Sequence, residues 1–270
     1  MKKFIFPLLL LFQPILNPYE AELSVEETVG KIEGSRLDQI VEKYLATVLM
    51  YDPERATELG LHENDLYLTE REYANQENYL NALNILMKDL KRIDRDVLDR
   101  YKKTEYDLIY SLIDREIYNI ERMSLLARKP HYYLKPFDIV YFMLSKDYEN
   151  YNIRAQAAYK RFKKIPDILY QAERNITRPP KIWTEYSIKR ADLLISNINE
   201  YYNVFRTYIG LDPTLKADFE NTLKNISESL KRYKNYLEKN VLKKSTGKAS
   251  CGLYTYGYYL ENWHKIYYNP

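Results

Sequence analysis

Cysteine is nearly absent from this chain: Cys251 stands alone among 270 residues. A lone thiol excludes an internal disulfide framework and any metal site built from several cysteines. Histidine is almost as scarce, with only His62, His131 and His264, which leaves little for metal ligation or acid–base chemistry. The seven glycines form no phosphate loop, dinucleotide fingerprint or Gly-x-Ser-x-Gly elbow. No Gly/Ser/Pro-rich linker divides the chain, and no repeat of fixed period points to a solenoid. A large charge of one sign is also missing. The formal net charge is +3, from 41 basic and 38 acidic residues, interspersed throughout. A nucleic-acid binder shows a concentrated basic face, whereas here only Lys239–Lys248 is locally basic and reads as a solvated helix end. No nucleic-acid partner is expected.

What is present is ordinary in bulk and unusual in one residue. Hydrophobic residues make up 46% and charged residues 29%, as in a soluble globular protein, and the length suits one large domain or two small ones. The 29 tyrosines are the exception. Tyrosine suits half-buried helix faces, with the ring inside and the hydroxyl reaching water.

The N-terminus departs from the rest. Lys2-Lys3 precede Phe4–Phe12 (FIFPLLLLF), then Gln13, Pro14 and a polar stretch, the charged n-region and short apolar h-region of a secretory signal. The run is too short for a membrane-spanning helix, which needs about 20 apolar residues. Residues 1–23 are therefore expected to be a signal peptide or an N-terminal anchor. The protein is expected to be exported (periplasmic, extracellular or anchored), touching a membrane only through this segment.

From Ser35 onward the pattern is helical. Leu37, Ile40, Val41, Tyr44, Leu45, Val48 and Leu49 mark one helix face. Asp52-Pro53 fits an N-cap and first helical residue, and Gly60 a stop. Thr69-Glu70-Arg71-Glu72 reads as a capping box launching a helix through Tyr79, Leu83, Leu86 and Leu90. Tyr106 to Met123 makes another stripe, stopped by Pro130. Pro136 opens a short helix, Asn152 is expected to cap the next, and Pro166 to kink it. Pro179-Pro180 separates that helix from one running to Ile209. Gly210-Leu211-Asp212-Pro213 is a stop and a start, followed by a regular stripe from Leu215 to Val241. The expected fold is all-α: an extended bundle of long antiparallel helices joined by short loops marked by proline and glycine, with residues 35–270 forming a single helical domain.

Candidate chemistry is sparse. His62-Glu63 could open a zinc helix, but His-Glu-x-x-His needs its second histidine on the same face, and Leu66 stands there. Asp114, Glu116 and Glu121 could pair as carboxylates, but Arg115 and Arg122 among them favour a solvated ion-pair face. Asn175-Ile176-Thr177 and Asn225-Ile226-Ser227 are glycosylation sequons. No catalytic, cofactor-binding or metal-ligating residue is assigned.

Three stretches taken in order resemble a known family. DPERATELGLHENDLYL, KTEYDLIYSLIDREIYNIE and RAQAAYKRFKKIPDILYQAERNITRPP are similar to the N-terminal half of the bacterial domain of unknown function 885. The matching positions are Pro53, Ala56, Thr57, Gly60, His62, Asp65, Leu66, Arg154, Arg161, Ile165, Pro166, Pro179 and Pro180, and the tail GKASCGLYTYGYYLENW matches more loosely. The resemblance implies an exported, largely helical protein about twice this length whose distal half carries His-Glu-x-x-His, as in zinc-dependent peptidases. Zinc is implied only for those longer relatives, and no cofactor is expected in this chain. Two expectations follow. Either the chain is a truncated, inactive portion of such a protein, partnered by the missing catalytic half, or it is a stand-alone module that binds a peptide or protein.

Overall fold

In the computed structural model, residues 24–210 and 212–267 are described; the signal or anchor expected at 1–23 and the terminal Tyr268-Asn269-Pro270 lie outside them. The fold is all-α. Among the described residues there is no strand, and one isolated parallel bridge joins Pro180 to Gly247.

Helix α1 (Val25–Tyr51) starts well before Ser35 because Ser24 and Glu27 form a reciprocal capping box at its N-terminus. Asp52 accepts the Arg55 amide and Pro53 takes the first position of α2 (Pro53–Glu58), as the Asp-Pro pair requires. Helix α3 (Tyr73–Leu90) corrects an expectation. Thr69 does not cap it; Glu72 stands at the cap with no side-chain bond, while the Thr69 hydroxyl donates to Asp52 Oδ1 at 2.9 Å. The reason is tertiary. Arg71 is drawn into a buried ion pair, so residues 69–72 stay outside the helix.

Helix α4 (Arg100–Tyr118), capped by Asp99, runs into a π-turn over Asn119–Met123. A left-handed Ser124 (φ 47°) breaks the path before the short α5 (Leu125–Arg128). A 3-10 turn at Pro130–Leu134 leads into α6 (Lys135–Ser145). Helix α7 (Tyr151–Asn175) is capped by Asn150, which accepts the Asn152 amide, so the cap is two residues earlier than expected. It continues through Pro166 as one helix. The helix expected to reach Ile209 is two, α8 (Lys181–Ser196) and α9 (Glu200–Ile209), with a turn at 197–199 between them. Helix α10 (Pro213–Tyr236) starts on Asp212-Pro213 as expected and ends in a π-turn. Helix α11 (Leu253–Tyr258) and a final π-turn, Tyr259–Trp263, close the described chain.

The apolar stripes condense into two cores. Leu37, Ile40, Tyr44 and Val48 of α1 pack with Leu83, Leu86 and Leu90 of α3 and Ile109 and Ile113 of α4. The larger core joins α6 to α10 around Phe137, Phe162, Phe205 and Phe219. Phe162 stacks on Tyr201 at 4.9 Å between ring centres. Each such buried aromatic contributes about 3–5 kcal/mol relative to alanine. Helix α2 and residues 59–72 lie between the two cores, and the site described next is there.

Candidate functional site

Helix α2 is six residues long and cannot hold itself in water, since isolated helices shorter than about 12–15 residues are marginal. It is held by charge. Pro53 fixes its start, the small buried Ala56 lets it approach its neighbours, and Gly60 turns the chain away at φ +83°. A side chain at Gly60 would meet open space, so glycine is needed there for its backbone conformation.

The turn delivers Asp65 to the buried face of α2. Thr57 Oγ1 donates to Asp65 Oδ1 at 2.5 Å. His62 Nδ1 meets Oδ2 at 3.1 Å and the Tyr148 hydroxyl donates to the same oxygen at 2.8 Å. The His62 and Tyr148 rings stack in parallel, 3.7 Å between centres. Burial, then the hydrogen bond to Asp65, pushes the Tyr148 hydroxyl well above its ordinary range, so it remains a donor. From α7, the fully buried Arg161 donates to the carbonyls of Pro53 (3.0 Å) and Asn64 (3.1 Å), with its guanidinium 3.9 Å from Asp65. Burial lowers the Arg161 pKa, and Asp65 is the largest influence opposing that.

Arg154, about two turns earlier on α7, does related work. Its guanidinium lies 5.6 Å from the centre of the Tyr148 ring and donates to the carbonyls of Met143 (3.0 Å), Leu144 (3.2 Å), Lys146 and Glu149 (2.7 Å). A cation there satisfies the open carbonyls at the end of α6.

A second buried pair completes the lock. Arg71 Nη2 donates to both oxygens of Glu54, and Nη1 donates to the Thr69 carbonyl at 2.9 Å. Gln171 and Asn175 of α7 bond the Arg71 backbone from either side. Asn175 is thereby buried, so the first sequon is closed to glycosylation in the folded chain.

The structure thus brings Pro53, Ala56, Thr57, His62, Asp65, Arg154 and Arg161 together. Ile165, fully buried in the larger core, and Pro166 lie further along α7. Pro179-Pro180 are elsewhere and meet the C-terminal segment instead: the Gly247 amide donates to the Pro179 carbonyl at 3.1 Å, and a side chain at 247 would collide with the backbone of Arg178, Pro179 and Pro180. Sequence reasoning missed Tyr148, Glu54, Arg71 and Gln171. Tyr148 meets Asp65 across 83 positions, Arg71 meets Glu54 across 17 and Gln171 across 100, and no local spacing marks them.

A zinc site is not what these residues make. Asp65 is spent on Thr57, Tyr148, His62 and Arg161, Leu66 is exposed, and no group of three or more His, Cys, Asp or Glu is placed to hold a metal ion among the described residues. The carboxylates of α4 are also separate. Glu116 pairs with Arg55 at 2.5 Å, whereas Asp114 receives the Tyr258 hydroxyl (2.9 and 2.8 Å to its two oxygens) and Trp263 Nε1 (3.1 Å).

That last contact pins the C-terminal segment onto α4. Tyr118 stacks on Tyr258 at 4.6 Å and Tyr259 on Trp263 at 4.0 Å. The same segment turns Leu253, Tyr254, Tyr256, Ile266 and Tyr267 outward, Tyr254 and Tyr267 with 81% and 82% of their surface exposed.

The family model described as "Bacterial protein of unknown function (DUF885)" matches residues 53–270. Among solved structures, the fold is similar to that of "a putative lipoprotein of unknown function" from Shewanella oneidensis, with a TM-score of 0.66 and 20% identity over 78% of this chain. This chain spans 39% of that one. No curated protein matches.

Proposed function

The chain belongs to the bacterial family DUF885, and we propose that it serves as the helical, non-catalytic part of an exported zinc-peptidase-like protein, docking a partner through its C-terminal tyrosine face. The observation that carries this is the display of Leu253, Tyr254, Tyr256 and Tyr267 on a segment whose Tyr258 and Trp263 bond to Asp114 of α4. Tyrosine on a fixed backbone is effective at interfaces because little conformational freedom is lost on contact. Export is supported by the charged and apolar N-terminal run and by the lipoprotein description of the structural neighbour. The occupant favoured is the distal part of the family fold, because the structural neighbour is much longer than this chain and the family resemblance places the zinc helix in that distal half.

The test is co-purification of this chain with the separately expressed distal portion of a longer family member. A stoichiometric complex that is lost in the double variant Tyr254→Ser/Tyr267→Ser supports the reading. Capture of an unrelated secreted peptide by the same face, with no affinity for the distal portion, supports the stand-alone binding module instead.

A further inference from the structure

A cavity of about 180 Å³ lies between the ends of α1 and α4, the start of α3 and the 3-10 turn before α6. Tyr51 and Tyr79 stack on each other in its wall, 5.0 Å between ring centres, and Tyr132 closes it from the opposite element. Three carboxylates, Asp52, Glu70 and Glu116, line it with no cation among the lining residues. Each spends one oxygen on the protein: Asp52 Oδ1 on Thr69 and the Arg55 amide, Glu70 Oε2 on Gln171, Glu116 Oε1 on Arg55. Among the described residues the other oxygen of each, and the hydroxyls of Tyr79 and Tyr132, have no hydrogen-bond partner. Burial holds both hydroxyls protonated; Glu116 adds to this at Tyr79, whereas at Tyr132 the Arg71 guanidinium, 4.5 Å from the ring centre, opposes it.

The backbone here is also irregular. The π-turn that begins at Asn119 places Asn119 and Ile120 in the wall, and the left-handed Ser124 follows it. Such turns and strained residues concentrate at functional sites.

We propose that this cavity binds a small alkylammonium group, with its charge on the free oxygens of Asp52, Glu70 and Glu116 and its alkyl stem along the faces of Tyr51 and Tyr79. The sign follows from the lining, which holds three carboxylates and no side-chain cation, so an anion would face like charge. Aromatic faces attract a cation and shelter its methylenes. The volume holds about six waters at their liquid share of about 30 Å³ each, hence an amine of a few carbons. A free amine and a lysine side chain present the same chemistry.

The test is calorimetric titration of the full chain with n-butylammonium, with the capped lysine Nα-acetyl-lysine N-methylamide, and with n-butanol and butyrate as neutral and anionic controls. Glu70→Gln (an exposed position) and Tyr79→Phe (ring kept) are the variants, each checked for unchanged helicity. Expected is binding of n-butylammonium, at least tenfold weaker or absent for the controls, and weakened about tenfold by either variant, the size typical of losing a hydrogen bond to a charged group. Binding of the capped lysine as well identifies a protein side chain as the source, and binding of n-butylammonium alone identifies a free amine. No binding of either amine, equal binding of n-butanol, or affinity unchanged in both variants overturns the proposal.

Discussion

Arg71 and Glu54 are in direct contact: Nη2 is 2.9 and 2.8 Å from the two carboxylate oxygens, and the side chains are 0% and 1% exposed. Burial works against the Arg71 charge, yet Glu54 and its other neighbours outweigh it, and the net shift of Arg71 is upward. Removing one partner of such a pair leaves a buried charge uncompensated. Glu54→Ala is therefore expected to cost about 3–5 kcal/mol by urea unfolding. The double change Glu54→Leu/Arg71→Met is expected to recover most of that, because no charge then remains to be desolvated. Equal losses in both would show that the pair matters through shape alone.

Asp65 and His62 share a contact but not a burden. Asp65 is buried and faces Arg161, whereas the His62 side chain is 31% exposed. Asp65→Ala strands Arg161 and should cost about 3 kcal/mol or more. His62→Ala loses one hydrogen bond and a stacked ring, about 1 kcal/mol. Comparison of the two unfolding midpoints checks this ordering, and a His62 loss matching that of Asp65 would contradict it.

His131 gives stability a pH dependence. Its Nδ1 is buried without a partner, and burial, then Lys129 and Arg190, pushes the imidazole down to about 4. An unfolded histidine takes up its proton near pH 6.5, so below that pH the unfolded chain binds more protons than the folded one. The contribution is complete above about pH 6.5 and is lost as pH falls towards 4. His131→Phe keeps an aromatic ring against Trp183 and Tyr186 and should flatten the decline of melting temperature between pH 7 and 4.5. A wild-type slope retained in the variant would assign the decline to carboxylates.

Three C-terminal glycines should respond differently to alanine. At Gly247 the new methyl strikes the Arg178–Pro180 backbone, and overpacking of this kind costs about 1–3 kcal/mol. Gly252 has open space but φ +82° and ψ 161°, a region essentially reserved to glycine, so alanine there costs about 1–3 kcal/mol of strain. Gly257 is helical with nothing within 4 Å, and alanine should stabilise α11 by up to about 1 kcal/mol. Thermal melts of the three variants test the order.

Much of the fold was legible because its signals are local. Asp52-Pro53, Gly60 and Asp212-Pro213 act within a few residues, and the stripe through Phe219, Ile226, Leu230, Tyr233 and Leu237 is buried as its spacing requires. The Thr69 box was misread because a distant Glu54 claims Arg71, and a local rule cannot see that competitor. The Ser24-x-x-Glu27 box is a local signal of the same kind, at the border of the signal-like run. For the site, the motif residues were visible in the chain while their purpose was not. Asp65 is explained by Arg161, 97 positions from Asn64 in the same cluster, and by Tyr148. Gly247 is explained only by Pro179-Pro180, which it meets in space.

The docking role is tested most directly by hydrogen exchange of residues 253–267, with and without the distal portion of a longer family member. The account predicts slowed exchange across this segment on mixing, and no change in the Tyr254→Ser/Tyr267→Ser variant. A complex that forms while residues 253–267 exchange at their free rate would contradict it.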